Sequence, residues 1–120
     1  MVNYHIVFCP KYRRQILVGA IKRRCEEVFD GVARDNGWEI ISKEIMPDHV
    51  HLFVSADPNT RPHIVVKRFK GRTSRALRQD FPELLKMPTL WTHSYFLSTA
   101  GNVSASAIKK YIEQQWNVVK

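Results

Sequence analysis

The sequence has only two cysteines, Cys9 and Cys25, and they are not spaced as a CxxC pair. That excludes a disulfide framework and a four-ligand structural zinc site, so both thiols are expected to stay reduced and buried. No apolar run approaches the roughly 20 residues needed to span a bilayer, and the basic segment at Lys11 is not followed by a secretory cleavage pattern. A cytoplasmic protein is therefore expected. Acid is scarce: 11 Asp and Glu stand against 19 Lys and Arg, a formal net charge of +8. Such a balance suits a polyanionic partner, nucleic acid foremost, although a merely soluble basic protein has the same totals. Repeats and low-complexity segments are absent too, and a chain of 120 residues makes one compact domain.

What is present reads as alternating strands and helices. Val2 to Cys9 is rich in β-branched and aromatic residues and stops at Pro10, which cannot donate to a ladder. Lys11-Tyr12-Arg13-Arg14 follows as a basic loop. From Leu17, the residues Ile21, Cys25, Val28 and Val32 recur at helical spacing, and Asn36-Gly37 supplies a stop. Trp38 to Met46 and His49 to Ser55 read as two strands of a hairpin, joined by the turn pair Pro47-Asp48. Pro62 to about Gln79 reads as a second helix, with Val65, Val66, Phe69, Ala76 and Leu77 turned inward. Its other face carries Lys67, Arg68, Lys70, Arg72, Arg75 and Arg78. Phe81-Pro82 closes it, and a loop runs to Trp91. Ser94 to Thr99 reads as a fourth strand ending near Gly101-Asn102, and Ser104 caps a last helix that runs to about Val118.

This order predicts an α+β fold: a ferredoxin-like β-α-β-β-α-β antiparallel sheet with two helices on one face, plus a terminal helix. A single domain is expected over residues 1–120, with the core in 1–100 and the terminal helix in 104–118. The other sheet face stays open for a ligand, a partner subunit or that helix.

In the run His49-Val50-His51-Leu52-Phe53-Val54, strand periodicity sends both histidines to one face and Val50, Leu52 and Val54 to the other. Two imidazoles so spaced can chelate one metal ion, although paired histidines on a half-exposed strand are also ordinary polar surface. On the last helix Tyr111 and Gln115 are four residues apart and share a face. They offer a nucleophile and a third ligand; equally, Tyr111 suits an amphipathic core beside Ile108 and Ile112. A phenolate attacking a metal-polarised phosphodiester gives a covalent phosphotyrosine. Tyr4, Tyr12 and Tyr95 lie in strands or the basic loop, and none has a glutamine one turn ahead. Lys67, Lys70, Arg72 and Arg75, with Lys11, Arg13 and Arg14, read as a phosphate-tracking surface or as a solvated helix face. Trp91, Tyr95 and Trp116 fit core packing better than base stacking, and His5, His63 and His93 receive no role.

Several segments together resemble a known family. They are Tyr4-His5 with Lys11 to Arg14, Met46 to Val54, Phe69 to Arg75, Leu90 to Phe96, and Thr99 to Trp116. The resemblance is to the single-tyrosine HUH transposases of the smallest bacterial and archaeal insertion sequences, the TnpA-like class, with the REP-associated tyrosine transposases as relatives. It implies that His49 and His51 are the paired metal histidines, Tyr111 the nucleophile and Gln115 a further ligand, with Mg2+ or Mn2+ as the ion. It also implies cleavage and rejoining of single-stranded DNA through a 5'-phosphotyrosine, with recognition of hairpins near element ends. A homodimer is implied as well, each active site joining one subunit's histidines to the other's tyrosine. One departure lies at the start, where Tyr4 comes without the short stretch that relatives carry. The residues alone also allow a non-catalytic nucleic-acid-binding module with an RRM-like fold, but no strand carries that class's aromatic RNA-stacking signature.

Overall fold

The computed structural model describes residues 1–99 and 105–118, the side chains of 105 and 116–118 excepted. The Gly101-Asn102 junction, the Ser104 cap and the Trp116 side chain lie outside the described residues. The strands are β1 (Val2–Phe8), β2 (Glu39–Met46), β3 (His49–Ala56) and β4 (Phe96–Ser98). The helices are α1 (Gly19–Asn36), α2 (Pro62–Asp80) and α3 (Ala105–Val118), with short 3-10 turns at Lys11–Arg13 and Pro82–Lys86. The sheet runs β2-β3-β1-β4 with every neighbouring pair antiparallel, which is the expected ferredoxin-like order.

Strand alternation gives the sheet two different faces. Tyr4, Ile6 and Phe8 of β1 and Val50, Leu52 and Val54 of β3 join Phe29 of α1 and Phe69 of α2 in the main core. Each large side chain so buried contributes about 1.5–3 kcal/mol. Val7 of β1 and Cys9 just beyond its end face the other way and pack with Tyr111 and Ile112 of α3, with Phe96 and Ile108 alongside. Helix α3 therefore covers the face that α1 and α2 leave open. Helix α1 ends as its sequence predicts: Gly37 adopts φ 70°, and the amides of Gly37 and Trp38 bond back to Arg34 and Ala33.

Three local features differ from the sequence reading. Strand β4 is only three residues long and starts at Phe96, not Ser94. The carbonyls of Thr92, His93 and Ser94 accept from the Lys70 ammonium at 2.7, 3.5 and 3.3 Å, so this stretch is held as a loop. The basic loop is a tight turn in which Tyr12 and Arg13 have φ 61° and 51°. The run before Trp91 contains the Pro82–Lys86 turn. Both cysteines are free and buried, as expected, and burial pushes each thiol up to about 12. Among the described residues no helix is long and apolar enough to cross a membrane.

Candidate active site

Alternation along β3 puts Val50, Leu52 and Val54 into the core, which leaves His49 and His51 on the α3 side. Both imidazoles line a cavity of about 520 Å3 whose walls include Arg13, Glu44 and Asp48, and Lys109 and Glu113 of α3. Glu44 stands opposite His51 in the sheet register. Asp48 Oδ1 lies 2.8 Å from His49 Nδ1, and Asp48 Oδ2 accepts from Arg13 Nε at 2.8 Å. Burial opposes the Asp48 charge, yet the bonds from Arg13 and His49 outweigh it and hold its pKa below the ordinary carboxylate value. His51 is shifted the other way: burial, aided by the neighbouring His5, lowers its pKa and favours the neutral ring. His5 Nδ1 lies 3.2 Å from His51 Nε2, and the His5 ring stacks on Phe53 with centroids 4.2 Å apart.

A neutral imidazole has a lone pair to offer, and carboxylates around the cavity favour a cation, so these residues fit a divalent metal ion. Among the described residues no three His, Cys, Asp or Glu side chains converge to hold one. A complete coordination shell therefore needs a ligand of another kind, such as an amide oxygen or water.

Tyr111 and Gln115 sit together, but away from the histidines. Helix α3 lays Ile108 and Ile112 on the sheet, which turns Lys109 and Glu113 toward the histidine cavity and Tyr111 and Gln115 toward β4. There Ser94 Oγ donates to Gln115 Oε1 at 2.5 Å and lies 3.4 Å from Tyr111 Oη. The Tyr111 ring is 8% exposed and packs near Phe96. Burial pushes its phenol up to about 12, only partly offset by the bond to Ser94. One chain thus holds two separate clusters: paired histidines in one cavity, and a tyrosine with its glutamine on the opposite shoulder of α3.

The basic residues divide in three. Lys67 and Arg75 are exposed on α2 and line, with Arg72, a groove of about 670 Å3 between α1 and α2, across the sheet from the histidines. Arg72 is engaged by Asp35 at 2.5 Å. Lys11 and Arg14 flank the Tyr12 ring, at 5.3 and 5.7 Å from its centroid, on the turn that also carries Arg13. Two residues of the expected phosphate-tracking surface have partners within the protein. Lys70 is half-buried and turned onto the Thr92–Ser94 carbonyls, and burial lowers its pKa to about 8. Arg13 is turned inward onto Asp48, because the left-handed backbone of the turn aims it at the cavity. Trp91 belongs to the core, with Nε1 donating to Lys70 O and Thr73 Oγ1 at 3.0 Å, as packing predicts.

Sequence reasoning passed over Asp48, His5 and Ser94. Asp48 reads as a turn residue, yet its place beside the paired histidines was the available signal. His5 shares the strand parity of Val7, but only the β1–β3 register puts it next to His51. Nothing local marks Ser94, whose role depends on where α3 docks.

Known proteins of similar architecture and sequence can be compared with this chain. The family model described as IS200-like transposase matches residues 1–115. The ISDra2 transposase TnpA of Deinococcus radiodurans is 38% identical over 117 residues, which cover 95% of this chain and 84% of that protein. The transposase for insertion sequence element IS200 of Salmonella typhimurium is 30% identical over 116 residues, covering 94% of this chain and 76% of its own length. A crystal structure of a Deinococcus radiodurans protein described as a transposase superposes with a TM-score of 0.88 at 35% identity, covering 95% and 90% of the two chains. The structure of a REP-associated tyrosine transposase bound to a REP hairpin shares the fold, with a TM-score of 0.64 at 13% identity over 93% of this chain and 62% of its own. With sequence and fold in agreement, the chain belongs to the IS200-like family of transposases.

Proposed function

We propose that the protein cuts and rejoins single-stranded DNA by transesterification, with Tyr111 as nucleophile and His49, His51 and Gln115 as ligands of Mg2+ or Mn2+. The observation that carries this reading is the pair of half-buried imidazoles in an acid-walled cavity that the tyrosine helix itself lines. A bound divalent ion supplies electrophilic polarisation of the scissile phosphate. Tyr111 Oη attacks phosphorus and loses its proton; the bond from phosphorus to the 3' oxygen breaks, and the 3' oxygen leaves as a hydroxyl. The product is a 5'-phosphotyrosine that keeps the bond energy, so a 3' hydroxyl can attack it and rejoin the strand without ATP. Lys11 and Arg14 on the Tyr12 turn, and Lys67 and Arg75 across the sheet, supply charge for the DNA backbone. Hairpin recognition is part of the proposal, in keeping with the REP-bound relative.

The active site is proposed to form between two subunits. Within one chain Tyr111 faces β4 while the histidines open on the other shoulder of α3, so a tyrosine from a second copy would complete each cavity. The test mixes a His49→Ala, His51→Ala double mutant with Tyr111→Phe and assays the covalent protein–DNA band after subunit exchange with Mn2+ present. Shared sites restore the band, because one site of each heterodimer combines intact histidines with an intact Tyr111. Verified heterodimers that stay inactive overturn the shared arrangement.

A further inference from the structure

In the fold, the two oxygens of Asp48 serve different partners: Oδ1 lies 2.8 Å from His49 Nδ1, and Oδ2 accepts from Arg13 Nε at 2.8 Å. Arg13 then aims Nη1 at the carbonyl oxygen of Ile112 on α3, 3.5 Å away. A continuous set of contacts therefore runs from a cavity histidine, through a carboxylate and a guanidinium, to the backbone of the helix that carries Tyr111. It depends on a costly local conformation. Tyr12 and Arg13 both hold left-handed backbone, φ 61° and 51°, which side-chain-bearing residues disfavour and which is retained where the surroundings require it.

We propose that Asp48 and Arg13 are positioning residues of the active site: Asp48 fixes His49 with its proton on Nδ1 and Nε2 offered to the metal ion, while Arg13 anchors that carboxylate and couples it to the tyrosine helix. A metal-bound imidazole must present a bare nitrogen, and a carboxylate accepting from the other nitrogen sets the tautomer, aims the ring and raises its basicity. Asp48 and Arg13 are 18% and 25% exposed, so water screens their bond less than it screens a surface ion pair. Arg13, turned to this task, leaves phosphate contacts to Lys11 and Arg14.

The inference rests on His49 and His51 being the metal pair, and its test separates the two ideas. The full chain, free of metal, is studied by nitrogen-15 NMR of its imidazoles, and its Mn2+ affinity is then measured by calorimetry. The wild-type His49 is expected to carry its proton on Nδ1. Asp48→Asn suits the turn equally well but presents an amide donor as well as an acceptor. It should shift His49 toward the Nε2-protonated tautomer and weaken Mn2+ binding by about tenfold or more. Arg13→Gln leaves Asp48 in place, and should weaken Mn2+ binding less while speeding amide hydrogen exchange in α3. If Asp48→Asn changes neither tautomer nor affinity while His49→Ala abolishes binding, the positioning role is overturned and the metal site stands. If His49→Ala and His51→Ala also bind Mn2+ normally, the metal reading itself fails. Should Asp48→Asn not fold, Arg13→Gln decides, and unchanged affinity with unchanged α3 exchange overturns the proposal.

Discussion

Tyr111→Phe separates chemistry from packing, because the structure says how little else the substitution disturbs. The ring packs on Val7, Cys9 and Ile112 and lies 6.2 Å from the Phe96 centroid, all of which phenylalanine keeps. What disappears is one hydroxyl, which lies 3.4 Å from Ser94 Oγ and also interacts with the Thr92 side chain. A net hydrogen bond contributes about 0.5–1.5 kcal/mol, and one this long belongs at the lower end, about 0.5 kcal/mol. For a domain of this size that lowers Tm by about 2 °C. Ser94 keeps its shorter bond to Gln115 at 2.5 Å, so no buried hydroxyl is orphaned. Covalent adduct formation, by contrast, should vanish, with cleavage reduced by about four orders of magnitude or more, as when a covalent nucleophile is removed. The assay pairs a denaturing gel on labelled single-stranded hairpin DNA and Mn2+ with a thermal melt of the same sample. An adduct that persists in Tyr111→Phe refutes the nucleophile, and a Tm loss beyond about 8 °C refutes the packing argument.

Two further outcomes follow from the charged and titrating groups. The buried Tyr111 phenol has its pKa pushed up to about 12, against about 10 in an unfolded chain, so folding favours the protonated form. Its contribution is complete below pH 10 and is lost as pH rises to 12, a loss of up to about 2 kcal/mol. Urea unfolding from pH 9 to 12 should show that extra loss in the wild type and not in Tyr111→Phe; parallel curves would sink the argument. Replacing Lys67 and Arg75 with Gln should flatten the log–log salt dependence of single-stranded DNA binding by about 0.7 per lost phosphate contact. Lys70→Met should leave that slope unchanged and instead loosen the 92–94 loop; equal flattening by Lys70→Met would mean that its ammonium reaches DNA.

The sequence alone determined the element order, the two-faced sheet and the candidate chemical groups. Those are local properties: alternation separates Val50 and Leu52 from His49 and His51, and 3.6-residue periodicity puts Tyr111 with Gln115. The stop at Gly37 is local too, since glycine readily adopts the left-handed conformation found there. What the sequence left open were relations between distant segments. Strand register brought His5 to His51, although 46 residues separate them. Left-handed backbone at Tyr12 and Arg13 turned an apparent phosphate-binding arginine onto Asp48. Partial burial turned the Lys70 ammonium onto the carbonyls of the loop before β4. The placement of Tyr111 depended on packing most of all. Helical periodicity pairs it with Gln115, but only the docking of Ile108 and Ile112 on Val7 decides which way that pair faces, and it faces away from the histidines of its own chain.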